Sequence, residues 1–93
     1  MTAPVRILVV DDEPFNVDLL EQQLEEQGYE TCVATDGAEA LERLAEERPD
    51  LVLLDWMMPG MSGIEVLERM RATPDWRGVP VIMLTARGST EDK

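Results

Sequence analysis

Four polar residues in this 93-residue chain stand where chemistry is easiest to build. Asp11 and Asp12 follow the run Ile7-Leu8-Val9-Val10, Asp55 follows Leu51-Val52-Leu53-Leu54, and Thr85 follows Val81-Ile82-Met83-Leu84. Each run holds four consecutive apolar residues without alternation, so each reads as a strand buried on both faces. In an open parallel sheet, ligands bind beyond the carboxyl ends of the strands. If the first and third strands are neighbours, three carboxylates meet at one point. Close carboxylates repel, and at neutral pH they need a cation or a raised pKa. An all-oxygen site with few protein ligands and room for water and phosphate suits Mg²⁺. Metals that prefer nitrogen or sulfur have little to hold there. Each residue also has an ordinary explanation. Asp11 and Asp12 fit as caps of the next helix, Asp55 as a strand-end turn residue, and Thr85 as a structural hydroxyl. Their coincidence at one sheet edge favours a functional acidic site.

The elements that would position these residues are written in the intervening sequence. Pro14 suits the first position of a helix, where its missing N–H would be unpaired anyway. Val17, Leu20 and Leu24 give that helix an apolar stripe, and Gly28 a natural stop. Tyr29 to Ala34 is a weaker, alternating strand suited to a sheet edge. Asp36 with Glu39 predicts a second helix start, with Ala38, Leu41, Leu44 and Ala45 inward and Pro49 just beyond its end. Met58-Pro59-Gly60 is a turn. Ser62 with Glu65 predicts a capping box, opening a third helix with Ile64, Leu67 and Met70 inward and Thr73-Pro74 as its stop. Pro80 begins the last apolar run, where a strand tolerates proline. The β-α-β-α-β-α-β alternation implies a parallel sheet with right-handed crossovers and helices on both faces. Ser89 with Asp92 looks like one more helix start without a stripe behind it, and Val81–Leu84 is too apolar for a bare edge. The expectation is a single domain over residues 1–93, cut within a larger one.

Composition removes several function classes. Eight basic against 20 acidic residues give a net charge of −12, which opposes direct binding to nucleic acid or an anionic membrane. Without histidine there is no Ser-His-Asp or Cys-His machinery and no His-ligated metal. Cys32 is the single cysteine and cannot form an internal disulfide. The N-terminus lacks the apolar core of a signal peptide, and no apolar run reaches membrane-spanning length. A cytoplasmic location is expected.

Val9-Val10-Asp11-Asp12-Glu13-Pro14, Leu53 to Gly63 (LLDWMMPGMSG) and Pro80-Val81-Ile82-Met83-Leu84-Thr85-Ala86 together resemble, in order and spacing, the signature segments of the receiver domain of two-component response regulators. The resemblance implies a flavodoxin-like (CheY-like) doubly wound parallel sheet of strand order 2-1-3-4, lacking the fifth strand and helix. It implies that Asp55 is the phosphoacceptor, attacking the phosphorus of a phosphohistidine or a small acyl phosphate to give an aspartyl phosphate. It implies Mg²⁺ held by Asp12, Asp55 and the backbone carbonyl of Met57, with Asp11 orienting a metal-bound water. Thr85 would be the switch hydroxyl that turns to the phosphoryl group. The implied partner is a sensor histidine kinase or phosphotransfer protein, and the domain would assist its own phosphorylation without turning over an external substrate.

The sequence departs from the family in having no fifth-strand lysine, since Lys93 falls too early for that role. A second reading is therefore a phosphotransfer-impaired fragment that acts as an interaction or oligomerisation module, with edge pairing or domain swapping through an exposed fourth strand. An aspartate-nucleophile phosphatase would need an acid where Met57 stands. Met57, Met58 and Met61 read as flexible packing under the loop. Trp56 is expected to be partly exposed beside the site and Trp76 to anchor a loop, while Arg87 reads equally as a residue that tunes water access and as an idle surface charge. The glutamates at 21, 25, 26, 42, 46 and 47 read as solvated helix faces.

Overall fold

The three apolar runs and the weaker segment between them all form strands. The computed structural model describes residues 4–56, 58 and 60–84. Its elements are β1 (Arg6–Val10), α1 (Pro14–Glu26), β2 (Glu30–Ala34), α2 (Gly37–Glu47), β3 (Leu51–Asp55), α3 (Gly63–Ala72) and β4 (Val81–Leu84). The strands pair in parallel in the order β2-β1-β3-β4, so β1 and β3 are the central neighbours. Val10 stands opposite Leu54, which brings the residues after β1 beside the end of β3.

Strand side chains alternate between the two faces, and the core divides accordingly. Leu8, Val10, Val52 and Leu54 pack with Ala40 and Leu44 of α2 and Val66 and Met70 of α3. Ile7, Val9 and Leu53 pack on the other face, against Val17 of α1, with Leu20 and Leu24 partly buried beside them. The central strands need apolar residues at every position because both faces are covered.

Helix starts follow the expected cap chemistry. Pro14 opens α1 after Glu13, which caps with backbone only. The Asp36 carboxylate accepts from the Glu39 N–H at 2.7 Å. Ser62 and Glu65 form the complete reciprocal box. The Ser62 hydroxyl accepts from the Glu65 N–H at 3.3 Å, and the Glu65 carboxylate accepts from the Ser62 N–H at 3.0 Å.

Three local expectations are corrected. In α2, Ala38 and Ala45 face solvent, and the inward stripe is Gly37, Ala40 and Leu44 with Leu41 half-buried. In α3, Ile64 is exposed and Val66 takes its place beside Met70. The edge strand β2 starts at Glu30, leaving Tyr29 outside it, and its burial does not alternate. Both faces of β2 are shielded: Val33 packs on the α1 side and Cys32 on the α2–α3 side.

Glu26 and Glu42 are exposed on their helix faces as expected, and the other four glutamates also make bonds. Glu21 and Glu25 both accept from the Thr31 hydroxyl, tying α1 to β2. Glu46 pairs with Arg43, and Glu47 with Arg6. Arg6 also pairs with Glu30 at 2.8 Å, and that hydrogen bond is the main reason its guanidinium is held above its ordinary pKa. Trp76 packs against the core as a loop anchor, and its backbone N–H donates to the Thr73 carbonyl at 3.0 Å. No helix among the described residues is long and apolar enough to cross a membrane.

Candidate functional site

The adjacency of β1 and β3 does what the sequence pattern requires of it. Asp11, Asp12 and Asp55 each offer a carboxylate oxygen, and these oxygens lie within 4.8 Å of one another. Asp11 and Asp55 form the floor, each only 5% exposed, while Asp12 stands at the open rim. The donor set is oxygen alone. Three carboxylates at that spacing suit a hard divalent cation, which offsets repulsion that water cannot screen at two buried groups.

Backbone bonds fix the floor. The Asp11 N–H donates to the Ala34 carbonyl at 3.1 Å, which ties the turn after β1 to the end of β2. The Asp11 carboxylate accepts from the Glu13 N–H at 2.9 Å. That bond reaches the residue before α1 rather than the helical N–H groups, so neither Asp11 nor Asp12 caps the helix. Asp55 pairs across the ladder with Leu84, and the Trp56 N–H donates to the Leu84 carbonyl at 3.2 Å. The cations Arg6 and Arg43 are committed to glutamates.

Two glycines that the apolar pattern does not mark allow close approach at the helix starts, and one of them, Gly63, lies against the site. The Gly63 N–H donates to the Trp56 carbonyl at 2.9 Å. A side chain at Gly63 would run into the carbonyl oxygen of Asp55 and come within 2.9 Å of the Trp56 Cα. The start of α3 thus lies directly against the backbone of the central acid. Gly37 allows a close approach of a different kind at the start of α2, where a Cβ would meet the Met61 side chain at 2.7 Å. The available signal was a glycine in a helix's first turn, which is costly unless close approach requires it.

Trp56 is 49% exposed beside Asp55, as expected. Met58 is buried and Met61 half-buried against the core, which is the packing role. Met57, Thr85 and Arg87 lie outside the described residues, as do Ser89, Asp92 and Lys93. Leu84, the residue before Thr85, is the one bonded to Trp56.

Comparison with known proteins agrees with this geometry. The family model described as response regulator receiver domain matches residues 7–93. The DNA-binding response regulator MtrA of Mycolicibacterium smegmatis is 51% identical over 87 residues, covering 94% of this chain, and the chain spans 37% of that relative's length. The crystal structure of the N-terminal domain of a response regulator receiver protein from Methanoculleus marisnigri superposes with a TM-score of 0.89 at 49% identity, covering 95% of this chain and 72% of the other. The receiver domain of the sensor histidine kinase PA1611 from Pseudomonas aeruginosa, solved with a magnesium ion coordinated in its active site cleft, superposes at 0.86 with 33% identity, covering 94% of this chain and 71% of the other. With a fold of strand order 2-1-3-4 and three aspartates at the carboxyl edge, the chain belongs to the receiver domains of two-component response regulators.

Proposed function

We propose that this receiver accepts a phosphoryl group on Asp55 from the phosphohistidine of a partner sensor kinase or phosphotransfer protein, in the cytoplasm. The observation that carries the proposal is the convergence of the Asp11, Asp12 and Asp55 oxygens within 4.8 Å, with Asp55 at the end of a central strand. An Asp55 oxygen attacks phosphorus, the P–N bond breaks, and the electron pair returns to the imidazole of the donor. The oxygen-only donor set fits Mg²⁺, which Asp12, Asp55 and the Met57 carbonyl would hold. When bound, it supplies positive charge to offset the phosphoryl oxygens. Asp11 supports the site through its bond to the Glu13 N–H. Thr85 supplies the hydroxyl that turns toward the phosphoryl group. The domain assists only its own phosphorylation and dephosphorylation.

The test has two stages. Mg²⁺ is titrated while tryptophan fluorescence is followed, because Trp56 stands half-exposed next to Asp55. A saturable change in the wild type, weakened in Asp55→Asn, is expected. Incubation with a small acyl phosphate and Mg²⁺ then adds one phosphoryl group by intact-mass spectrometry, and Asp55→Asn abolishes it. A folded wild-type chain that gains no phosphoryl group would overturn the proposal.

A second reading rests on β4. Among the described residues its outer edge has no bonded strand, and Ile82 is 51% exposed. Such an edge templates pairing with another copy. Association would appear as a concentration-dependent mass by light scattering, and a clean monomer at micromolar concentration would refute it.

A further inference from the structure

At the end of the sheet opposite the three aspartates, the last turn of α2 and the connection from α3 to β4 enclose a cleft of about 280 Å³. It lies at the amino ends of β3 and β4, roughly 15 Å of strand away from the acidic edge. Buried Leu44 and Pro49 line it, with half-buried Trp76 and Val79 completing the apolar part. Arg48 and Asp75 are exposed residues lining the same cleft.

Arg48 and Asp75 do not pair with each other. Among the described residues, neither side chain makes an ion pair or a hydrogen bond. Arg6, Arg43, Arg71 and Arg77 each donate to an acceptor, whereas Arg69, exposed on α3, is like Arg48 in making no side-chain bond among the described residues. Arg48 caps α2 in the left-handed conformation, at φ 49° and ψ 60°, a position that glycine fills most easily. The chain thus ends this helix on a strained residue that is itself part of the cleft's lining.

The opposite wall is held before any ligand arrives. Arg71 donates to the Arg77 carbonyl at 3.1 Å, and Arg77 donates back to the Arg71 carbonyl at 3.2 Å. The Trp76 and Val79 N–H groups close successive turns onto Thr73 and Trp76. A preformed wall lowers the ordering cost of binding.

The net charge of −12 repels simple anions, and a cleft with one cation and one anion suits a ligand that is neutral overall with separated charges. We infer that this cleft binds a free apolar α-amino acid. Arg48 takes the carboxylate, Asp75 takes the ammonium group, and the apolar part formed by Leu44, Pro49, Trp76 and Val79 takes the side group. This site is separate from the phosphoacceptor proposal and stands or falls without it.

The test is a two-dimensional amide NMR titration of the purified chain with L-leucine. Saturable shifts confined to residues 44–49 and 73–79 are expected, with Asp11, Asp12 and Asp55 unmoved. Binding in about the millimolar range is expected for so small a ligand. N-acetyl-leucine, leucinamide and glycine, which lack the ammonium, the carboxylate and the side group in turn, should each bind at least about tenfold more weakly. Arg48→Gln and Asp75→Asn should weaken leucine binding similarly while leaving the amide spectrum outside the cleft unchanged. Absence of saturable shifts there up to about 50 mM leucine, well above the millimolar range expected, would overturn the inference. So would equal binding of leucine and its three analogues.

Discussion

The packing of α3 against the proposed acceptor makes Gly63→Ala the sharpest test of how the site is positioned. Gly63 is the first residue of α3, and its N–H is bonded to the Trp56 carbonyl at 2.9 Å. An alanine methyl there would overlap the carbonyl oxygen of Asp55 and press on the Trp56 Cα. Both obstacles are backbone, so neither can rotate away. Two effects oppose each other. Alanine gains up to about 1 kcal/mol of helix propensity, and less in a first turn. Overpacking against a rigid neighbour costs about 1–3 kcal/mol. The clash wins, with a net loss of about 1–2 kcal/mol, which lowers the melting temperature of a domain this size by roughly 5–15 °C. Gly37→Ala is the control, because its methyl would meet the Met61 side chain, which can shift in part. It should cost less than Gly63→Ala. Thermal unfolding followed by circular dichroism measures both, and a Mg²⁺ titration should show weaker binding only in Gly63→Ala, whose clash displaces Asp55 itself. A Gly63→Ala protein as stable as wild type would mean that α3 can withdraw freely, and the close contact would then not be what places Asp55.

Other consequences are simpler. Ser62→Ala removes the side-chain half of the α3 capping box and should cost about 1 kcal/mol in urea unfolding. Leu54→Ala, at a fully buried central position, should cost about 2–5 kcal/mol, whereas Ile82→Ala on the half-exposed edge strand should change stability by less than about 1 kcal/mol. Burial pushes the Cys32 thiol above its ordinary pKa of 9.0, with nearby Glu47 adding to the shift. The folded state therefore holds that proton more tightly than the unfolded chain. This contribution to stability is complete below pH 9 and is lost as pH rises through the raised value. Between about pH 8 and about pH 10 the urea midpoint should fall more steeply in wild type than in Cys32→Ala, and equal slopes would contradict the shift.

Much of this architecture is legible in the sequence because it is local. A buried central strand needs four or five consecutive apolar residues, and Ile7–Val10 and Leu51–Leu54 supply them without ambiguity. The caps at Asp36 and Ser62 are legible because a side-chain oxygen three residues before a glutamate does one recognisable thing. Helix faces are harder. Ile64, Val66, Leu67 and Met70 fit more than one apolar stripe, and only the position of α3 against α2 and the sheet selects Val66 and Met70. Ala38 and Ala45 misled for a related reason, since alanine is helix-forming and nearly indifferent to exposure. The close approach at Gly63 depends on ångström-scale distances between segments, which no periodicity encodes.

The placement of the three aspartates also sets how the site is tied into the sheet. Asp11 follows β1, which is bonded to β2 and β3, and its own N–H extends the bonding to Ala34. That side is held on both flanks and buried on both faces. Asp55 ends β3, whose other neighbour is β4, a strand of four residues. Among the described residues β4 is paired on one edge only, and its side chains are half-buried or exposed. A change of charge at Asp55 therefore meets, at β1, a side bonded on both edges. The β4 side is coupled to it directly, through the Trp56 N–H on the Leu84 carbonyl. In the proposed signalling cycle, that backbone bond joins the residue after the phosphorylated carboxylate to the residue before Thr85.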